Sequence, residues 1–326
     1  MKIGLTYDLQ SDYLRRGYTR EEIAEFDTEE TITAIEAVLR NLGHEVERIG
    51  GLEELLAELT SGKRPSLVFN ICEGSFGFSR EAQVPAVLDA FQIPYTFSDA
   101  MVLAVTLHKA LTKRIVNDLG VVSPSFALIE NIEDINDLDL SYPLFAKPVA
   151  EGSSKGISGC STIYDFNSLK KVCSELLTKY RQPVLIEEFL PGREFTVGLL
   201  GTGKKADVIG AMEVVFKNDE AQGTYSYASK FINNSEWVEY RRVDDELFDL
   251  IRKEALQVWR GLGGKDAGRI DFRMDQSGRL NFLEINPLAG LNPVSGDLPI
   301  ICRLYEIPYE HLIKGILDSA LERMNI

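Results

Sequence analysis

Histidine is scarce in this chain, three in 326 residues, and the four cysteines stand apart at Cys72, Cys160, Cys173 and Cys302. With no Cys-x-x-Cys pair, zinc sites and disulfide scaffolds have no framework, and Ser-His-Asp hydrolysis has little to draw on. A reduced, cytoplasmic protein is the expectation. The absence of GxxxxGK[ST] excludes a Walker-type phosphate loop. No apolar run approaches the roughly 20 residues of a membrane span, and the opening MKIGLTYDL reads as a strand rather than a signal peptide. Positive charge is short as well: 35 Lys and Arg against 50 Asp and Glu leave a net charge of −15. That balance argues against nucleic acid as a partner, because little is available to displace phosphate counterions. A nucleotide needs only a local positive site and stays open.

What is present is a soluble, globular composition with 44% apolar residues, long enough for two or three domains. The first hundred residues alternate strands and helices. KIGLTY, HEVERIG, PSLVFNIC and IPYTFSD read as strands, and TEETITAIEAVLRNLG, LEELLAELTSG and EAQVPAVLDAFQ as helices. This βαβ order implies a doubly wound parallel sheet with ligand-facing loops at the carboxyl ends of its strands, around Tyr7-Asp8 and Cys72 to Arg80. LAVTLHKALTKRIVNDLG reads as one helix ending at Gly120. Beyond it come YPLFAKPV, a turn-rich AEGSSKGISG, a helix DFNSLKKVCSELLTKY and a strand PVLIEEFLPG. From REFTVGLLG onward the pattern is antiparallel, closing with a terminal helix whose apolar stripe is expected to meet its own core.

The segment RIDFRMDQSGRLNFLEIN alternates polar and apolar residues on both arms, the period of half-buried strands. A symmetric loop, Ser277-Gly278 or Gln276 to Arg279, pairs Gln276 with Arg279. Counting back sets Asp271 opposite Glu284 and Arg269 opposite Asn286, with Ile270, Phe272, Leu283 and Ile285 on the other face; a loop of odd length would break this match. Facing carboxylates repel by about 3 kcal/mol at ~5 Å and an effective dielectric near 20. A shared proton, a cation such as Arg269, or a divalent metal would offset this. Asp271, Glu284 and Asn286 form a hard oxygen set that suits Mg²⁺, unless the hairpin simply faces solvent.

Other motifs have modest weight alone. Lys147 within the apolar PLFAKP calls for an anion partner, or points out from a sheet edge. In EGSSKGISG, Gly152, Gly156 and Gly159 could turn backbone N–H groups toward phosphate, with Ser153 and Ser154 adding hydroxyls; plain hairpin turns look alike. Glu187, Glu188 and Glu194 end an apolar strand. Lys109 and Lys113, four apart, read as a solvated helix face.

Their order, carried by IPYTFSDAMVLAVTLHKALTKRIV, FAKPVAEGSSKGIS, VLIEEFLPGREFTVGLLG, GRIDF and FLEINPLAGL, resembles the ATP-grasp superfamily, and the D-alanine–D-alanine ligase family most closely. The resemblance implies an α/β protein with an ATP-grasp fold: an N-terminal doubly wound domain over 1–102, a central α+β domain over 103–190 and an antiparallel C-terminal domain over 191–326. It implies that ATP phosphates meet Lys109, Lys147, Ser153, Ser154 and Lys230, adenine meets Glu187 and Leu190, and the ribose meets Glu194. It implies two Mg²⁺ ions on Asp271, Glu284 and Asn286. Arg269 and the backbone N–H of Gly290 would stabilise an oxyanion, with Lys230 and Ser153 also in the catalytic set. The activity implied is a carboxylate–amine ligase joining two small amino acids, D-alanine first among them, through an acyl phosphate. Homodimerisation is an expectation of the same kind, with no membrane or nucleic-acid partner.

Departures from the family pattern cluster at the substrate end. The family's ERE segment is replaced by DYLRRGYTREEIAEFDTEE, where Glu25 and Glu29 are the candidate amine-binding acids. Glu73 stands for a histidine, and Phe231 for a tyrosine. Ser295 is kept, but Gly296 and Asp297 follow it, and Asp297 would repel a carboxylate or recruit a cation. L-amino acids, hydroxy acids or a peptide precursor are therefore alternative substrates, and a silent nucleotide-binding protein is the alternative class.

Overall fold

The computed structural model describes residues 1–217, 238–243 and 246–325. Lys230 and Phe231 lie outside them. Three sheets organise the described residues. The first is parallel, in the order β2-β1-β3, from β1 (Lys2–Tyr7), β2 (Glu45–Gly50) and β3 (Leu67–Ile71). The intervening helices are α1 (Gln10–Arg15), α2 (Glu29–Asn41) and α3 (Leu52–Thr60), with α4 (Gln83–Ala90) following β3. The strand expected at IPYTFSD is only a parallel bridge, Val68 to Tyr95.

The helix expected from Leu103 to Gly120 is two: α5 (Ala100–Leu107) and α6 (Lys109–Asp118), broken at His108 with φ −88° and ψ 88°. The Lys109 N–H leaves the helical ladder for Val149 O at 3.0 Å, while the Thr112 hydroxyl donates to Val105 O at 2.8 Å. Both backbone groups are thus satisfied without a continuous helix.

The second sheet runs β4-β7-β5-β6, from β4 (Phe126–Ile129), β5 (Leu144–Pro148), β6 (Thr162–Ile163) and, after α7 (Phe166–Tyr180), β7 (Val184–Glu188). The third is antiparallel, β10-β9-β8-β11-β12. It comprises β8 (Glu194–Leu200), β9 (Asp207–Phe216), β10 (Val238–Arg242), β11 (Ala267–Met274) and β12 (Leu280–Asn286), backed by α8 (Glu246–Leu262). The chain closes with α9 (Asp297–Leu304) and α10 (Tyr309–Met324). The apolar stripe of α10, Leu312, Ile313, Ile316 and Leu317, joins the same core as Ile3, Leu5 and Ile35 of the first sheet. No helix among the described residues is long and apolar enough to cross a membrane.

The β11–β12 hairpin has the expected register at the site and an unexpected route to it. Its loop is odd: Met274 pairs with Leu280, so residues 275–279 make the turn, and Gln276 does not pair with Arg279. The Asp275 carboxylate organises that turn by accepting from the N–H groups of Ser277 (2.8 Å) and Arg279 (3.0 Å). A one-residue bulge between Asp271 and Phe272 then absorbs Leu283 and restores Asp271 opposite Glu284 and Arg269 opposite Asn286. The bulge also turns Leu283 out of the apolar face expected for it and onto a cavity wall.

Candidate active site

Two adjoining cavities meet at Arg269, Glu284, Ser153 and Asp297, which line both. The first lies between the second and third sheets. Its walls include Phe145 and Lys147 of β5, Ser153, Ser154 and Ile157 of the loop after β5, and Glu187 to Leu190 at the end of β7. Glu194, Met212, Asp271 and Leu283 complete the side formed by the third sheet. Apolar side chains such as Phe145, Ile157, Leu190, Met212 and Leu283 share the lining with charged ones from all these elements.

Lys147 is buried, not pointing from an edge, and its Nζ lies 2.8 Å from Glu187 Oε1. Burial opposes its charge, but Glu187 and Glu284 more than compensate and raise its pKa. Lys113, read from sequence as solvated, is fully buried. In the helix that starts after the break at His108, the Lys113 ammonium donates to Phe282 O at 3.1 Å and stands 3.0 Å from Glu187 Oε2. Burial brings Lys113 down to about 8. Both oxygens of Glu187 therefore face lysines. Lys109 is likewise buried; it donates to Glu151 O at 2.5 Å and lies 3.5 Å from Glu284. Glu194 accepts from Arg273 at 3.1 Å.

The Gly/Ser loop holds three residues with left-handed backbone, with φ of 46° at Ser153, 58° at Ser154 and 78° at Gly156. Two non-glycine residues in that region mark a backbone held by its surroundings. At Gly156 a Cβ would fall 2.5 Å from Pro148, so only glycine fits.

The second cavity, an open cleft, lies between the first sheet's loops and the Gly290 turn. Glu25 enters it from the long N-terminal loop and packs on Gly152, where a Cβ would meet Glu25 Oε1 at 2.2 Å. Arg80 donates to both Glu25 oxygens at 3.0 Å, and Lys155 adds a third contact at 2.7 Å. Burial would raise Glu25, but Arg80 and Lys155 hold it down at about 2. Glu29 is elsewhere, on the exposed first turn of α2 beside Arg48. Glu73 does face the cleft, together with Glu81 and Asp27. Burial pushes Glu81 and Asp27 up to about 7 and Glu73 well above the carboxylate range, with neighbouring acids adding to the Glu73 shift. These three carboxylates make no salt bridge among the described residues. Gly290 and Ser295 are exposed on the opposite wall, where the Ser295 hydroxyl donates to Asn292 Oδ1 at 3.0 Å.

The facing carboxylates of the hairpin are offset here by cations. Arg269 lies 3.7 Å from Asp271, and Lys109 lies 3.5 Å from Glu284. Arg269 also forms a close ion pair with Asp297. Burial first, then Glu284 and Asp297, push Asp271 up to about 7 against the pull of Arg269. Its Oδ1 is buried without a hydrogen-bond partner among the described residues. Asn286 sits 3.5 Å from Asp271 and fits better with its amide turned, the oxygen then accepting from Arg269 at 3.2 and 3.3 Å. Three oxygen-bearing side chains and an orphaned carboxylate oxygen fit a hard divalent cation, although no ready-made group of three acids grips one among the described residues.

Sequence reasoning missed Lys113, Lys155, Glu81 and Asp27, and placed Arg80 at the end of a ligand-facing segment without giving it a role. The first could have been found by weighing its place in the order of motifs. Nothing local singles out the others, and only the fold brings residues 25, 80, 151 and 155 together.

The comparisons agree with this geometry. The family model for the D-ala D-ala ligase C-terminus matches residues 116–318. A D-alanine–D-alanine ligase of Aquifex aeolicus is 33% identical over 286 residues, covering 87% of this chain and 92% of its own length. Among solved structures, a D-alanine–D-alanine ligase from Bacillus anthracis superposes with a TM-score of 0.76 at 19% identity, covering 100% of this chain and 99% of its own. The VanG D-Ala:D-Ser ligase from Enterococcus faecalis gives 0.73 at 17% identity, covering 98% and 99%. These structures share the fold, and the family match with the Aquifex relative decides the lineage: the chain belongs to the D-alanine–D-alanine ligase family, ATP-dependent ligases with the ATP-grasp fold.

Proposed function

We propose that this enzyme joins two molecules of D-alanine, spending ATP to activate the carboxylate of the first and releasing ADP and phosphate. The observation that carries the reading is Arg269, held at the junction where a nucleotide cavity opens into a cleft. An acyl phosphate formed at that junction would present its carbonyl to the guanidinium. Arg269 and the Gly290 N–H then supply the donors that a tetrahedral oxyanion needs.

The other roles follow from position. Lys147, with Lys109 at the junction and Lys113 behind it, places positive charge where the nucleotide phosphates would lie. Ser153 and Ser154 offer hydroxyls from a loop already bent for close approach. Glu187 orients the lysines, Leu190 and Leu283 would flank the adenine ring, and Glu194 is the expected ribose partner. Mg²⁺ held by Asp271, Glu284 and Asn286 would spread the charge of the transferring phosphoryl group. Lys230 and Phe231 belong to the same proposal through the resemblance. So do the division of the chain at residues 102 and 190, a homodimer and a cytoplasmic location.

A second reading keeps the chemistry and changes the donor. Glu73, Glu81 and Asp27 favour a first substrate bearing more positive charge than alanine. Phosphate release from Mg-ATP, measured with single and paired amino acids of both hands, tests both. Release driven by D-alanine supports the first reading. Silence with D-alanine and release with a diamino acid would replace it, and silence with every acid would overturn ligase activity.

A further inference from the structure

Asp297 sits at the meeting point of the two cavities. It opens α9, two residues beyond Ser295, and lines both the nucleotide cavity and the cleft. Its carboxylate takes one arm of Arg269 in a close ion pair, the two side chains being only 17% and 16% exposed. The remaining arms of the guanidinium meet Asp271 and, with its amide turned, Asn286.

The chain holds Asp297 firmly. At Gly296 a Cβ would fall 2.6 Å from Gly290 O and 2.8 Å from Asn292 O, so α9 starts hard against the Gly290 turn. Behind Asp297, the buried Leu298, Ile300 and Ile301 anchor the helix in two cores. The anchored helix fixes the Asp297 backbone, and the ion pair with Arg269 holds its carboxylate. An amino acid entering beside Ser295 therefore meets a closed guanidinium–carboxylate pair instead of an open guanidinium. Its free carboxylate gains little attraction from Arg269 and faces the Asp297 charge directly.

Resting on the ligase reading above, we propose that Asp297 is a positioning and acceptor-specificity residue. It holds Arg269 toward the reacting carbonyl and cancels the pull of Arg269 on an acceptor carboxylate, so that the cleft accepts amines whose carboxylate is masked as an amide nearly as well as free amino acids.

The test is a competition with Mg-ATP and the donor amino acid that drives phosphate release, D-alanine on the present reading. The acceptor acid and its carboxamide (D-alanine and D-alaninamide) are supplied at equal concentration, and the two products are measured by mass spectrometry. The native enzyme should form both within about threefold of each other. Asp297→Asn should move the ratio tenfold or more toward the free-acid product, while Asp297→Glu keeps the native ratio. Asp297→Ser serves as the second neutral variant, with folding checked by thermal melts. A ratio unmoved in a folded neutral variant, even with slower turnover, overturns the specificity role. A native enzyme that strongly prefers the free acid also overturns it. Silence with every donor overturns the ligase reading, and this inference with it.

Discussion

Lys113 shows how much a single residue's neighbours decide. Four residues from Lys109 on a helix, it looked solvent-bound; in the fold it is fully buried against Glu187 and the Phe282 carbonyl. Removing one partner of such a buried group of charges leaves the other uncompensated. Lys113→Met should therefore cost about 3 kcal/mol in chemical denaturation and weaken nucleotide affinity as well, whereas loss of a solvated lysine would cost almost nothing. Asp271 makes a second residue-scale prediction. Folded, it holds its proton up to about 7 against an ordinary value of 3.8, so the folded state carries the extra proton between those values and stability falls as pH rises through them. Glu81 and Asp27, also pushed up to about 7, act in the same direction. Glu25, held at about 2, acts oppositely, but its window lies lower, with stability lost as pH falls from 4.5 through 2. The melting temperature without divalent cations should thus decline from pH 4.5 to 7.5. Asp271→Asn should flatten part of that decline, and added Mg²⁺ should raise the melting temperature more at pH 8 than at pH 5.

At the scale of elements, the hairpin and the Gly/Ser loop carry the site. The two arms of the hairpin were legible from their period-2 pattern, although the expected pairing of Asp271 with Glu284 was counted from a symmetric loop that the structure replaces. The turn was not, because the Asp275 carboxylate builds a five-residue loop that no alternation reveals. Loop and bulge are each off by one residue, and the two shifts cancel. The Gly/Ser loop was legible as a turn-rich segment, but its seat on Pro148 was not. Gly156→Ala would place a Cβ 2.5 Å from that ring at φ +78°. Loss of roughly 1–2 kcal/mol in stability is expected from the left-handed backbone and the clash together. The measurable consequence is a raised KM for ATP, and a variant with native KM and melting temperature would show that the loop is slack.

Across the whole molecule, distant segments are tied by buried charge. Asp266 is fully buried and accepts from Arg323 of α10 at 3.0 Å, while that same guanidinium donates to the Tyr95 and Phe97 carbonyls. The last helix is thereby fastened to the third sheet and to the end of the N-terminal unit. Arg323→Ala should cost about 3–5 kcal/mol, because it strands a buried carboxylate, and the denaturation midpoint should fall without a change in slope. The tie also explains why the apolar stripe of α10 is spent within the chain: it packs on the first sheet's core, leaving that face covered.

Composition and periodicity by themselves determined the α/β class and the parallel first sheet, because alternation and the order of elements are local properties; Asp271 faces Glu284 only because a bulge compensates a five-residue loop. The order of short motifs pointed to the family before any contact was known. The tertiary structure alone decided which charges neutralise which. Lys113 is buried against Glu187, Glu25 is claimed by Arg80 and Lys155, and Asp297 closes on Arg269. Pairings between residues tens or hundreds of positions apart depend on how sheets and loops stack, and no local pattern encodes them.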